Sequence, residues 1–103
     1  MGTPFYLAPE LIGTDEYGSE RQAYTPKSDI WALGIILFEL CSLRKPFNGE
    51  NEEELYKKVR EAKPQNIPSI SRSLMQLIFN LLHKDPNRRP STKDIFEMNF
   101  IRS

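Results

Sequence analysis

One stretch of the chain, residues 28–43, is almost uniformly apolar and reads SDIWALGIILFELCSL. Only four of its side chains are clearly polar, those of Ser28, Asp29, Glu39 and Ser42. A helix that is apolar in nearly every direction is typical of a protein interior. A membrane span needs about 20 mostly apolar residues, and here the unbroken apolar run stops at Glu39. The pattern therefore predicts the buried central helix of a soluble protein.

Local signals mark both ends of this helix. Thr25 can accept free amide protons as the N-cap, and Pro26 suits the first helical position because no donor is needed there. The segment 45–49, KPFNG, places a basic residue, a helix breaker and a turn pair beyond the last apolar residue. Gly34 in the middle costs about 1 kcal/mol relative to alanine. We expect a neighbour to pack closely on its backbone, the alternative being a tolerated glycine.

Two further helices are predicted downstream. Asn51 is an N-cap candidate followed by three glutamates, and the helix after it ends by Pro64. One face of that helix is apolar, through Leu55, Val59 and Ala62. Ser71 caps the next helix, whose apolar positions follow the helical period at residues 74, 78, 81 and 82.

A fourth helix is predicted from about Thr92 to Met98. Ser91 and Asp94 have the spacing of a capping box, with aspartate in place of the usual glutamate. The apolar side chains expected to be buried at this end are Ile95, Phe96, Phe100 and Ile101. Because no segment predicts a strand, the expected fold class is all-α.

Composition narrows the possible functions. The 103 residues suffice for one domain at most, and 14 basic residues balance 14 acidic ones, so no overall field favours nucleic acid or a membrane surface as partner. Cys41 alone cannot form an internal disulfide, and no signal-peptide pattern follows Met1. One cysteine and one histidine cannot supply a zinc site. We expect a cytoplasmic or nuclear protein without a metal site.

Four motifs follow one another at a definite spacing: GTPFYLAPE at 2–10, SDIWALG at 28–34, PF at 46–47 and DPNRRPS at 85–91. In this order they resemble the second half of a eukaryotic protein kinase domain, and the resemblance covers nearly the whole chain. The segments ELCSL, KPF and KVRE, which start at residues 39, 45 and 58, are most similar to the NIMA-related (NEK) serine/threonine kinases.

The resemblance implies an incomplete kinase domain over residues 1–103, the C-terminal half of the C-lobe around one buried helix. Glu10 would end the activation segment and pair with Arg89, whose planar fork suits a carboxylate. The alternative is a helix-start acid and an unrelated surface cation. Thr3 would contact the catalytic aspartate and lysine of the missing catalytic loop, unless it is an ordinary loop threonine.

The same resemblance assigns a substrate-facing loop and structural residues. The wall facing the substrate residue after the phosphoacceptor would consist of Pro4, Phe5, Tyr6 and Leu7. Asp29 would accept backbone amides of the missing catalytic loop, a role compatible with its favourable place at a helix start. Trp31, Phe47 and Gly34 are interpreted as packing residues.

Phosphoryl transfer in kinases requires a glycine-rich loop, a strand lysine, a catalytic-loop aspartate and asparagine, and a magnesium-binding Asp-Phe-Gly. None of these occurs here, and the single histidine, His83, is not part of a His-Arg-Asp motif. The resemblance thus implies ATP and Mg²⁺ for a full-length relative, whereas this chain would hold no catalytic, cofactor-binding or metal-binding residue.

Two functions follow as alternatives. The first is a portion of a protein serine/threonine kinase that acts on protein substrates together with the missing N-terminal part of the domain, and is inactive alone. The second is a non-catalytic, truncated kinase relative that binds a protein partner through the helix 51–62 and the loop 13–23. In either case, apolar surface between Ile30 and Leu43 should be exposed in the isolated chain.

Overall fold

Four α-helices make up most of the computed structural model, which describes residues 6–12 and 24–98. The helices are α1 (Pro26–Ser42), α2 (Glu52–Glu61), α3 (Arg72–Leu81) and α4 (Thr92–Phe96), with 3-10 turns at Pro9–Leu11 and Pro86–Arg88. No strand occurs in these two ranges, and the predicted all-α class is confirmed. None of the helices described is long and apolar enough to cross a membrane.

The two ends of α1 are closed by side-chain and backbone hydrogen bonds. At the start, the Lys27 amide donates to Thr25 Oγ1 at 3.1 Å, and the Thr25 amide donates to Ser28 Oγ at 3.3 Å. At the end, Leu43 has left-handed backbone angles (φ 63°, ψ 20°), and its amide donates to the Glu39 carbonyl at 2.7 Å. A left-handed residue after the last turn is a common way to end a helix.

α1 is buried along one face only. Trp31, Ile35 and Phe38 lie in the main hydrophobic cluster, to which α2 contributes Leu55 and Val59. On the opposite face the side chains are exposed: Leu33 by 36%, Ile36 by 44%, Leu40 by 69% and Leu43 by 87%. Apolar surface is thus exposed between Ile30 and Leu43, as the sequence predicts.

Gly34 marks the closest approach of α3 to α1. A Cβ atom added there would lie 2.8 Å from Leu82 Cδ2 and 2.9 Å from Leu81 Cβ. Both distances are well below ordinary van der Waals contact. The neighbour that packs on this backbone is therefore the C-terminal end of α3.

α4 is shorter than predicted, because it ends at Phe96. Its capping box is present: the Asp94 amide donates to Ser91 Oγ, and the Ser91 amide donates to Asp94 Oδ2. Ile95 packs on a second cluster formed by Ile30, Leu77 and Leu81. Phe96 is 72% exposed, so the prediction that it is buried is wrong. Adjacent positions point about 100° apart around a helix, and in α4 only the side that carries Ile95 faces the second cluster. Phe100 and Ile101 lie outside the described residues.

Candidate functional site

Arg89 is the centre of the main polar cluster and lies between the second 3-10 turn and α4. Its side chain is fully buried and faces the Glu10 carboxylate, whose side chain is 3% exposed. Arg89 Nη1 donates to Glu10 Oε2 and Nη2 donates to Oε1, both at 2.8 Å. Two parallel hydrogen bonds of this kind make a bidentate ion pair. The structure thus brings together two residues that are 79 positions apart.

The other N–H groups of the Arg89 guanidinium donate to backbone carbonyls, those of Lys27 at 2.9 Å, His83 at 2.7 Å and Lys84 at 3.3 Å. All five guanidinium donors therefore have an acceptor. A buried cation is costly unless it is fully paired, and this arrangement meets that condition. Arg89 consequently joins the turn that carries Glu10, the start of α1 and the end of α3.

Glu10 is held in its charged form. Burial by itself raises the pKa of this carboxyl group, but the hydrogen bonds and positive charge of Arg89 outweigh it. Ser28 Oγ also donates to Glu10 Oε2, at 3.0 Å. The net result is that the pKa of Glu10 lies below its ordinary value of 4.5.

An aromatic pair lies next to this cluster. The rings of Trp31 and Phe47 stack with centroids 5.7 Å apart and an interplanar angle of 8°. Arg89 Cζ lies 5.0 Å from the Trp31 centroid, and Lys84 Nζ lies 4.3 Å from that of Phe47. These are distances at which cations are attracted to ring faces. The buried Trp31 Nε1 has no hydrogen-bond partner within the described ranges.

Lys84 links the aromatic pair to α2. Its ammonium group donates a hydrogen bond to the carbonyl of Val59, in the last turn of α2. Carbonyls in the last turn of a helix have no partner within the helix. Burial of the ammonium group, together with the nearby positive charge of Arg89, lowers the pKa of Lys84 to about 8.

The residues predicted for the substrate-facing loop are only partly described. Tyr6 and Leu7 are half-buried and pack against the main hydrophobic cluster. Thr3, Pro4 and Phe5 lie outside the described residues. The described part of the loop is thus continuous with the turn that Glu10 and Arg89 hold in place.

Asp29 is exposed in the first turn of α1. The segment that it would anchor, a catalytic loop, has no counterpart in this sequence. Gly34 contacts α3 as described above. These two residues do not belong to the cluster around Arg89.

Sequence reasoning missed three contributors to the site. Ser28 was considered only as part of α1, and no role was assigned to Lys27 or Lys84. Ser28 falls inside a recognised motif, which could have suggested a second partner for Glu10. No local pattern indicates that Lys84 reaches α2, because Val59 lies 25 positions away.

The described residues do not fit an ATP or magnesium site. They contain no group of three or more His, Cys, Asp or Glu side chains that could hold a metal ion. The 103 residues also contain no glycine-rich phosphate loop. What the described residues form is a buried anchor and part of a loop.

This combination of fold and anchor is that of a protein kinase C-lobe. A sequence model of the protein kinase domain matches residues 1–101, and the chain belongs to the protein kinase domain family. Within this family the chain is similar to NIMA-related serine/threonine kinases.

Three relatives illustrate this similarity. The chain is 43% identical over 102 residues to a probable serine/threonine-protein kinase, nek3, of Dictyostelium discoideum. It is 40% identical over 98 residues to serine/threonine-protein kinase Nek2 of Homo sapiens. It is 38% identical over 103 residues to the G2-specific protein kinase nim-1 of Neurospora crassa. These alignments cover 98%, 94% and 99% of the chain but only 8%, 20% and 11% of the relatives.

Proposed function

We propose that this chain supplies the substrate-facing loop and the structural core of a protein serine/threonine kinase. The complete protein would transfer the γ-phosphoryl group of ATP to serine or threonine in protein substrates. The observation that carries the proposal is the buried pair of Glu10 and Arg89, with all five guanidinium donors satisfied. Such a pair holds a loop in one position relative to a helical core.

The loop would position the protein substrate. Tyr6 and Leu7 pack on the core immediately before the anchored turn, so a substrate segment lying along these two residues would meet a preformed wall. In this proposal Thr3 contacts the catalytic aspartate and lysine of the catalytic loop, and Asp29 fixes the backbone of that loop. Neither residue performs the chemistry.

The isolated chain should have no kinase activity. The residues that hold ATP and Mg²⁺ in kinases would be provided by a segment N-terminal to Met1, and the chain contains no substitute for them. The catalytic aspartate would come from the same segment. We therefore assign no catalytic residue to the chain.

The test is the sequence of the full-length transcript across the start of the chain, followed by a phosphorylation assay. An upstream glycine-rich loop, His-Arg-Asp and Asp-Phe-Gly, with phosphorylation of casein by the complete protein and none by the 103-residue chain, is the expected result. A transcript with no kinase sequence before Met1 would refute the proposal.

A second candidate function is a non-catalytic module that binds a protein partner. The exposed apolar face of α1, at Leu33, Ile36 and Leu40, favours it, because apolar surface of this kind is usually covered. A stable 103-residue product isolated from cells together with a partner would support this alternative. Failure to detect such a product would count against it.

We also propose that the protein acts in the cytoplasm or the nucleus. The single cysteine, which cannot form an internal disulfide, supports this location. Microscopy of the full-length protein with a fluorescent tag tests it, and a secreted or membrane-enclosed signal would overturn it.

A further inference from the structure

Two pockets meet at the C-terminal end of α2, and Lys63 contributes to both. The first has a volume of about 510 Å³, with apolar walls from Pro64, Phe79 and Leu82. The second has a volume of about 580 Å³ and lies between the end of α1 and α2. We refer to the two together as the α2 groove.

The two parts of the α2 groove differ in chemistry. The first is mainly apolar, with cationic Lys63 and Lys84 among its lining residues. The second is polar, and its basic residues are Arg44, Lys45, Lys58 and Lys63. The groove therefore offers a site for an apolar side chain beside a site for negative charge.

The positive charge of the second pocket is only partly neutralised. Its one acidic residue, Glu39, pairs with Lys45 at 3.1 Å. Lys58 pairs with Glu54 of its own helix at 3.5 Å. Among the described residues, no carboxylate oxygen lies within 4.0 Å of Arg44 or Lys63.

This excess of charge is local. The whole chain carries 14 basic and 14 acidic residues, so the groove does not simply reflect a basic protein. Basic residues often complement the negative C-terminal end of a helix, which accounts for Lys58 and Lys63. Arg44 lies just beyond the C-terminal end of α1, so the same effect applies to it, and the second pocket collects basic residues from the C-terminal ends of two helices.

We propose that the α2 groove binds an acidic peptide segment of a protein partner, with one bulky apolar side chain in the first pocket and carboxylates over the second. An extended peptide places side chains of different character only a few ångströms apart, as the adjoining pockets require. Burial of the apolar side chain provides affinity, and the cations provide orientation and fast association.

This inference goes beyond the kinase proposal and does not depend on it. Binding is measured directly, without ATP and without phosphorylation. A chain that binds the peptide but belongs to no active kinase would refute the proposed function alone. A kinase whose groove binds no acidic peptide would refute this inference alone.

The experiment titrates fluorescein-labelled nine-residue peptides with the full 103-residue chain and measures fluorescence anisotropy. Two peptides are used, each with one phenylalanine and four glutamates. The phenylalanine lies near the N-terminal end of the first peptide and near the C-terminal end of the second. Companion peptides replace phenylalanine by alanine, or the glutamates by glutamine. We expect saturable binding of one orientation, and weaker binding of both companion peptides.

Charge reversal within the groove provides the matched test. The double variant Arg44→Glu/Lys63→Glu should bind at least about tenfold more weakly, because it replaces attraction by repulsion. The control variant Lys57→Glu/Arg60→Glu makes the same charge change at exposed positions of α2 that line neither pocket. Its affinity should change by less than about threefold, the remaining effect being long-range and screened by salt.

Circular dichroism verifies that both variants retain the helical content of the parent chain. Should the groove variant lose structure, chemical-shift mapping of the peptide on the unmodified chain replaces it, with shifts expected around Lys63, Phe79 and His83. The proposal is overturned by absence of peptide binding, by equal weakening in groove and control variants, or by shifts located elsewhere.

Discussion

Arg89 carries most of the long-range polar contacts among the described residues. Its guanidinium is completely buried, which is tolerable only because a carboxylate and three backbone carbonyls surround it. Lysine could not replace it, because an ammonium group with three donors cannot form two parallel hydrogen bonds to a carboxylate and also donate to three backbone carbonyls. The arrangement makes this residue a mechanical link between three segments.

Replacement of Arg89 by alanine should destabilise the chain by about 3–5 kcal/mol, because the Glu10 carboxylate is left buried without its partner. Urea unfolding followed by circular dichroism measures the effect. Arg88→Ala is the matched control, since the Arg88 side chain is 73% exposed and should contribute less than about 1 kcal/mol.

The double variant Glu10→Leu/Arg89→Met tests whether the ion pair stabilises the fold more than apolar side chains at the same two positions would. Replacement of both charges by apolar groups of similar size is often close to neutral. We therefore expect it to recover much of the stability lost in Arg89→Ala. A double variant as unstable as the single one would show that the carbonyl contacts of Arg89 dominate.

The ion pair predicts a sensitivity to acid. Because the pKa of Glu10 is lower in the folded chain than its ordinary value of 4.5, the unfolded state binds the proton more readily. The stabilisation is complete above pH 4.5 and is lost as the pH falls through the folded-state pKa. The stability difference between the parent chain and Glu10→Gln should shrink over this range in urea unfolding, and a constant difference would contradict the prediction.

The lowered pKa of Lys84 predicts that stability also depends on pH in the alkaline range. Its pKa is about 8 in the folded chain and ordinarily 10.5, so between these values the unfolded state binds more protons and stability rises with pH. Unfolding of the parent chain and of Lys84→Met at several pH values from 7 to 10.5 measures this. The parent should gain stability relative to the variant above about pH 8. A stability difference that stays the same at every pH would show that the pKa of Lys84 is not lowered in the folded chain.

The contact between α1 and α3 depends on the missing side chain at Gly34. Alanine is the better helix former by about 1 kcal/mol, so an unconstrained position would gain from Gly34→Ala. Here the new methyl group would meet Leu82 Cδ2 at 2.8 Å and Leu81 Cβ at 2.9 Å. The first of these atoms can move with its flexible side chain, but the second is fixed to the backbone of α3.

Gly34→Ala should therefore lower the free energy of unfolding by about 1–3 kcal/mol, the usual cost of overpacking. Thermal unfolding monitored by circular dichroism measures the loss. Ala32→Gly, two residues earlier in the same helix, removes helix propensity without a clash and gives the size of the propensity effect alone. Increased stability of Gly34→Ala would show that α3 shifts without cost.

Within the described part of the chain, α1 leaves an apolar surface uncovered. Leu33, Ile36 and Leu40 are separated by three and four positions, so they form one stripe along α1. Leu43 is exposed just beyond the end of the helix. The exposure of these four side chains increases toward the C-terminal end, from 36% to 87%. A stripe of this kind favours association with another apolar surface.

We expect the isolated chain to self-associate at micromolar concentrations, as measured by sedimentation velocity. Ile36→Gln/Leu40→Gln should shift the distribution toward monomer without loss of helix content, because both side chains are already exposed. Gln76→Leu is a reverse control, since it adds an apolar group at an exposed position on α3 instead. A dilute parent chain that is monomeric and melts in one sharp transition would contradict the expectation.

The helices and their ends were largely determined by the sequence itself. Thr25, Asn51, Ser71 and Ser91 all act as N-caps, as their residue types predict. The pairing of Glu10 with Arg89 was predicted only from the resemblance to kinases, because no local pattern connects residues so far apart. The roles of Thr3, Pro4 and Phe5 remain predictions.

Only the tertiary structure decided which faces are covered and which polar atoms meet. The packing of Ile95 on the second cluster with exposure of Phe96, the contact of Lys84 with α2, and the basic side of the α2 groove all depend on how whole helices pack. Caps and periodicity are interactions among residues a few positions apart, and therefore can be recognised in a short segment. Contacts between distant residues depend on the angles and distances between helices, which the core packing of the entire chain sets.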